Sequence, residues 1–195
     1  MIRRTLLVTA LALASAPVCA ATYELDPTHT QTVFSWNHFG FSNPSAQFGS
    51  VTGTLDFDAA DPTKASVTVK IDIDSLNTNV PKLDEHLKKA DFFDVARYPT
   101  ATFTSTKVEK GATPETLKVT GDLALHGVTR PVVLDVTINK IGEHPMRKVP
   151  AAGFDATTSI KRSDFGLGAF TPAVGDEVRI HITVEALGAK AEKAD

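Results

Sequence analysis

Alternation of apolar and polar residues with a period of two runs through most of this chain. Val67, Val69, Ile71 and Ile73 alternate with Thr68, Lys70 and Asp72, and Val178, Ile180, Ile182 and Val184 alternate with Arg179, His181 and Thr183. Leu117, Val119, Leu123 and Leu125 share one parity, with Gly121 between them. So do Val132, Leu134, Val136 and Ile138, then Phe154, Ala156, Thr158 and Ile160, and Val51, Gly53, Leu55 and Phe57. Shorter sets are Phe34, Trp36 and His38, and Ala101, Phe103 and Ser105. Successive side chains of a strand face opposite ways, so each segment reads as a strand with one face buried. Eight main strands are predicted over residues 30–39, 47–58, 65–75, 99–110, 115–126, 131–142, 152–162 and 176–187, with Tyr23–Leu25 extending the first.

One segment changes period. Leu83, Leu87 and Ala90 fall at helical spacing behind Pro81, which suits a first turn, with Thr78 or Asn79 as the cap. This predicts one short helix of roughly ten residues between strands three and four. Gly121–Pro131 reads as strand, His126-Gly127 turn and strand. Strands this long suit an all-β, closed antiparallel up-and-down barrel, because closure removes exposed edges. Eight strands leave an interior wide enough for a ligand. Glycines 49, 53, 121 and 153 fall inside strand patterns, where they permit bends or close ligand approach.

The N-terminus adds a destination. Arg3 and Arg4 precede an apolar run from Thr5 to Ala16, and Val18 and Ala20 are the small residues of a cleavage site, which predicts a signal peptide over 1–20 and a single domain over 21–195. Ala16 and Val18 do not make a lipobox ahead of Cys19. Cys19 is the only cysteine, so the exported chain has none and relies on its core. Losing Arg3 and Arg4 takes Lys+Arg from 20 to 18 against 23 acids, and net charge from −3 to −5. No basic field for nucleic acid results. The expected location is the periplasm. The tail after Gly188 is polar and expected to fray.

Catalytic chemistry is hard to find. Six histidines lie scattered, none paired at i,i+2 or i,i+4, so no metal site is predicted. No Gly-x-Ser-x-Gly is present, and the carboxylates of Asp84, Glu85, Asp91 and Asp94 read as a solvated helix face. In Arg162-Ser-Asp-Phe-Gly-Leu-Gly168, Asp164 is expected to accept hydrogen bonds in a turn stabilised by Arg162. His126 is expected to bond backbone within its turn. His38 offers either a satisfied interior histidine or a polar contact to a ligand. The aromatics are more telling: several lie in loops and at the helix end, where a barrel's mouth would be.

Taken in order, Tyr23-Glu-Leu-Asp-Pro-Thr-His29, Phe34-x-x-x-His38, Leu87-Lys-Lys-Ala-Asp-Phe-Phe-Asp94 with Tyr98-Pro99, Gly121-Asp-Leu-Ala-Leu-His-Gly-Val-Thr129 and Arg162-Ser-Asp-Phe-Gly166 resemble the YceI family over essentially the whole exported chain. The resemblance implies a lipocalin-like eight-stranded barrel, periplasmic or secreted, with no catalytic site and no cofactor. It would hold a polyisoprenoid or isoprenoid-quinone tail in an apolar tunnel, for storage or transport. It also implies transient contact with a quinone-linked membrane b-type cytochrome, and the alternative is a quinone-linked redox accessory or stress-response protein with no catalytic site of its own. Exposed barrel faces commonly pair, so a homodimer is expected as well. Strand parity and aromatic position select the candidate wall: Phe34, Trp36, Phe48, Leu55, Phe57, Ile71, Phe103 and Leu123, with His38 to orient a polar head. Leu83, Leu87, Phe92 and Phe93 would close one end, and Phe165 lies in the glycine-bearing loop.

Overall fold

The computed structural model describes residues 21–189, so the predicted signal segment and the last residues of the tail lie outside the described residues. Its strands are β1 (Ala21–Leu25), β2 (Gln31–His38), β3 (Ser45–Phe48), β4 (Val51–Phe57), β5 (Ser66–Asp72), β6 (Leu76–Asn77), β7 (Thr100–Lys110), β8 (Thr116–Leu125), β9 (Val128–Glu143), β10 (Pro150–Lys161) and β11 (Val174–Gly188). One α-helix, α1 (Pro81–Leu87), joins β6 to β7.

These segments make an eight-stranded closed antiparallel barrel. β1 and β2 lie end to end along β11, β3 and β4 lie end to end along them, and β6 continues β5. From there each strand pairs with the next in sequence, and β11 closes onto the first. Tyr23–Leu25 therefore extends the first strand, as its pattern predicts, with a kink between the two pieces. Pro27 has no N–H to give a ladder. The Asp26 carboxylate takes the Thr28 backbone N–H at 2.9 Å and the Thr28 hydroxyl at 2.7 Å, which closes a local turn. Meanwhile the Asp26 N–H stays on the Glu185 carbonyl at 2.7 Å. The predicted strand 47–58 is likewise divided, because the Ser50 N–H turns to the Ser75 hydroxyl at 3.0 Å.

The helix differs from expectation. It has 7 residues, its N-cap position is Val80, and no side chain caps it. Thr78 is buried, and its N–H and hydroxyl donate to Asp84 Oδ1 at 2.7 and 2.6 Å. Asp84 is thus a half-buried brace that ties the helix start to β6, and not part of a solvated face. After Leu87 the chain turns at once, with the Phe93 N–H on the Leu87 carbonyl at 3.0 Å, so Ala90 is exposed.

The β8–β9 turn is the short one the sequence promises. Leu125 pairs with Val128, and both turn residues have positive φ, 52° at His126 and 75° at Gly127. That is the primed geometry whose twist matches a hairpin. A side chain at 127 would also meet Tyr98, with 2.6 Å from a Cβ to Tyr98 Cε1. The turn, α1 and the β2–β3 and β10–β11 connections all gather at one end of the barrel, called here the helix end.

The most deeply buried apolar residues form four groups, around Phe34 and Phe48, around Tyr23 and Phe57, around Phe103 and Leu117, and around Val132 and Phe165. Half-buried residues, among them Val69, Val136, Leu123 and Phe93, join these groups into one apolar wall around the barrel interior.

Candidate functional site

The interior contains two chambers. One, of about 140 Å³, lies at the helix end, and the other, of about 170 Å³, fills the far end. They meet at Thr32, Ile71, Leu123 and Ile180, which line both. Along β11 the lining runs from Val174 to Val184, roughly 33 Å of strand at about 3.3 Å per residue. Strand tilt in barrels of this size shortens that to about 25 Å along the axis. Many inward-facing side chains, including Val69, Ile71, Leu134, Val136, Ile180 and Ile182, are only half-buried, because they face the chambers and not one another.

Strand parity placed most candidates on these walls. Phe34, Trp36, Phe48, Leu87, Phe92 and Phe93 line the helix-end chamber, and Leu55, Phe57 and Phe103 line the far one. Phe34 stacks on Trp36 and Phe48 at ring separations of 5.8 and 5.3 Å, and Phe93 meets Phe34 edge-on at 6.2 Å. The far chamber's wall is shaped by Gly121. A Cβ there would come within 2.7 Å of Phe103 Cε2, so this glycine makes room for a neighbouring ring and not for a ligand.

Three candidates lie elsewhere. His38 is exposed, since β2 ends there and its ring turns edge-on to Phe39 at 4.6 Å. Leu83 is half-buried on α1, away from both chambers. Phe165 is 2% exposed and packs with Val132 and Leu167 beside the chamber wall. Its carbonyl accepts from His126 Nδ1 at 3.0 Å, which ties the β8–β9 turn to this loop. Leu134, Val136, Ile180 and Ile182 were missed although their parity is plain in the sequence, because the candidate set favoured aromatic residues.

Of the polar groups at the chambers, the buried Thr30 hydroxyl in the far one has no partner among the described residues, whereas Arg162 and its neighbours are committed to structure. Arg162 is buried and donates to three carbonyls: from Nε to Gly175 at 2.9 Å, from one terminal nitrogen to Val174 at 2.9 Å, and from the other to Leu167. Burial lowers its basicity, and Asp176 acts against that. The acid of this turn is not Asp164, which is exposed. Asp176 accepts from the Ser163 N–H at 2.9 Å and hydroxyl at 2.7 Å. Burial pushes the Asp176 carboxyl up, but these hydrogen bonds, with Arg162 and Lys161, hold it below the usual range.

At the strand kink, Asp26, His29 and Glu185 bring ligand atoms within 4.8 Å of one another, a grouping the sequence did not reveal. The charge of Asp26 is already met by Arg147 at 3.2 Å, and His29 Nδ1 lies 3.0 Å from the same carboxylate oxygen. His29, Thr28 and Arg147 together hold the Asp26 carboxyl far below its ordinary range. His144 takes the Met146 and Arg147 N–H groups on Nδ1, and its Nε2 stands 3.2 Å from Glu185 Oε1. The network is a clamp between the kink, β11 and the β9–β10 loop.

Fold and site define a class: small antiparallel barrels with an elongated apolar interior, built from consecutive strands with a short helix at one end. Residues 23–186 match the family model of the YceI-like domain, and the chain belongs to that family. Protein YceI of Escherichia coli O157:H7 is 37% identical over 182 residues, which is 92% of this chain and 94% of that one. The crystal structure of Burkholderia cenocepacia BcnA is 25% identical and superposes with a TM-score of 0.74, covering 83% of this chain and 98% of its own. A polyisoprenoid binding domain from Saccharophagus degradans, implicated in plant cell wall breakdown, shares the fold at 17% identity, with a TM-score of 0.68 over 87% of this chain and 99% of that one.

Proposed function

We propose that this protein binds lipid, holding the tail of a long amphiphile of the polyisoprenoid or isoprenoid-quinone kind for storage or transport in the periplasm. The observation that carries this reading is the juxtaposition of the two chambers, which share Thr32, Ile71, Leu123 and Ile180 as lining. Two apolar chambers end to end, spanning about 25 Å, suit a chain and not a compact solute. Each methylene moved from water to such a wall contributes about 0.8 kcal/mol, so one isoprene unit brings roughly 3–4 kcal/mol before ordering costs. A few units reach micromolar affinity or better without any polar anchor. This accounts for a site built from Val, Ile, Leu and Phe. The fold shared with the Saccharophagus polyisoprenoid binding domain supports the ligand class. The Arg3-Arg4 leader with its Val18-x-Ala20 cleavage site supports the location.

Trp36 is the only tryptophan and lines the helix-end chamber, so it reports occupancy. Protein purified from its host is expected to release an isoprenoid on solvent extraction, identified by mass spectrometry. Delipidated protein is expected to change its tryptophan emission on titration with prenyl alcohols. Protein that carries no lipid and whose Trp36 emission ignores prenyl alcohols would overturn the reading.

A further inference from the structure

Three phenylalanines at the helix end point into water. Phe39 is 49% exposed, Phe41 92% and Phe170 64%. Phe39 and Phe41 belong to the β2–β3 loop and Phe170 to the loop before β11. The Phe39 N–H donates to the Ala173 carbonyl at 3.1 Å, so the two loops touch. Phe39 and Phe170 also hold left-handed backbone, with φ of 53° and 62°. That conformation costs an ordinary L-residue about 1–2 kcal/mol, and asparagine or glycine would relieve it. The chain thus keeps aromatic side chains in water where both solvation and backbone disfavour them.

These rings continue the tunnel. Phe170 stacks on Phe92 at 6.2 Å with 30° between planes, and Phe92 lines the helix-end chamber. An apolar path therefore leads from the interior to the outer loops. The two loops themselves carry no formal charge: no Asp, Glu, Lys or Arg stands between Asp26 and Asp56, nor between Asp164 and Asp176, while charges of both signs border them, among them Arg179, which donates to Asn43 Oδ1 at 3.4 Å, and Asp91 beside Phe92. The three rings leave water without desolvating an ion of their own loops, and the mixed charges at the rim give a charged partner no field of one sign to recognise. The rings expose roughly 400 Å² between them, well short of the ~800 Å² per side of a stable protein interface. Insertion of separate aromatic side chains into a lipid surface needs no such area and no shape complementarity.

We propose that the β2–β3 and β10–β11 loops dock on a neutral lipid bilayer, with Phe39, Phe41 and Phe170 seated among the acyl chains. In that orientation the helix end of the barrel faces the membrane, and a tail passes between bilayer and chamber along Phe170 and Phe92 without crossing water. The docking stands on the exposed rings alone, and the tail transfer rests on the lipid-binding reading above.

The test uses the triple variant Phe39→Asn, Phe41→Ser and Phe170→Asn, in which asparagine accepts the left-handed backbone and the barrel keeps its fold. In flotation with phosphatidylcholine–phosphatidylethanolamine vesicles, the unaltered protein is expected to float, and about 1 M salt is expected to leave it bound. The variant is expected to partition at least about tenfold less. Uptake of a prenyl alcohol from vesicles, read at Trp36, is expected to slow to match, and the double variant Phe39→Asn, Phe41→Ser, which keeps Phe170, is expected to slow likewise from vesicles while its uptake from a cyclodextrin complex stays within about twofold. Equal flotation of both proteins, failure of the unaltered protein to float, or a dimer that the variant dissolves would overturn the proposal. If neither protein takes up the alcohol from cyclodextrin, the lipid-binding reading fails, and flotation still decides the docking.

Discussion

The ring of Phe103 lies across Gly121, on the neighbouring strand. Ser105 is the residue paired with Gly121, and Phe103 pairs with Leu123, so the ring reaches diagonally into space that any side chain at 121 would fill. Gly121→Ala is expected to displace the ring into the far chamber, at a cost of about 1–3 kcal/mol for overpacking. Thermal unfolding should show the loss, and binding of the longest prenyl alcohols should weaken more than that of short ones.

Leu123 stands where the chambers meet. Leu123→Trp is expected to divide the channel. Affinity for long tails should fall by about tenfold or more, near 1.4 kcal/mol, while a geraniol-sized amphiphile that fits one chamber keeps its affinity. Calorimetric titration across chain lengths checks this, and a uniform loss at every length would contradict a shared channel.

Arg162 holds the carbonyls of Gly175, Leu167 and Val174. Arg162→Lys keeps the charge but loses the planar fork, so it is expected to destabilise the protein by about 2–4 kcal/mol. Denaturant unfolding measures the loss. Amide exchange should rise at Gly166 and Leu167 first, since their N–H groups bond the carbonyls of Ser163 and Arg162.

Acid sensitivity should centre on Asp26. Its folded carboxyl titrates below its unfolded value, so its contribution is fully present above the ordinary carboxylate range and is lost as pH falls through that range and below. Asp26→Asn is expected to cost about 1–3 kcal/mol at neutral pH. It should also flatten the fall of stability with acid by about one proton, roughly 1.4 kcal/mol per pH unit over the affected window. Unfolding free energies from about pH 6 down to 2 test both parts, and an unchanged slope in Asp26→Asn would count against the clamp.

What was legible in the sequence was sidedness. Parity shows which way a strand residue points, and it placed Phe34, Trp36, Leu55 and Phe103 on the inner wall. It carries no measure of depth along the barrel. His38 has the parity of Trp36 yet stands at the last residue of β2, in water. Helical spacing put Leu83 with Leu87, but α1 is short enough that only Leu87 reaches the chamber. Links between distant turns were invisible altogether. Nothing local announces that Arg147 meets Asp26, a contact that depends on β11 closing onto β1, or that Ser163 bonds Asp176 and leaves Asp164 free, which follows from the register of the β10–β11 hairpin.

The half-burial of inward-facing side chains such as Val69, Val136 and Ile182 has a consequence for the life of the molecule. A tail in the barrel would cover them and so complete the centre of the fold. Stability then rises with cargo as RT ln(1 + [L]/Kd), about 2.7 kcal/mol at a hundredfold excess over Kd. A barrel without cargo would be the form that proteases reach first, so the supply of lipid would set how much of the protein persists.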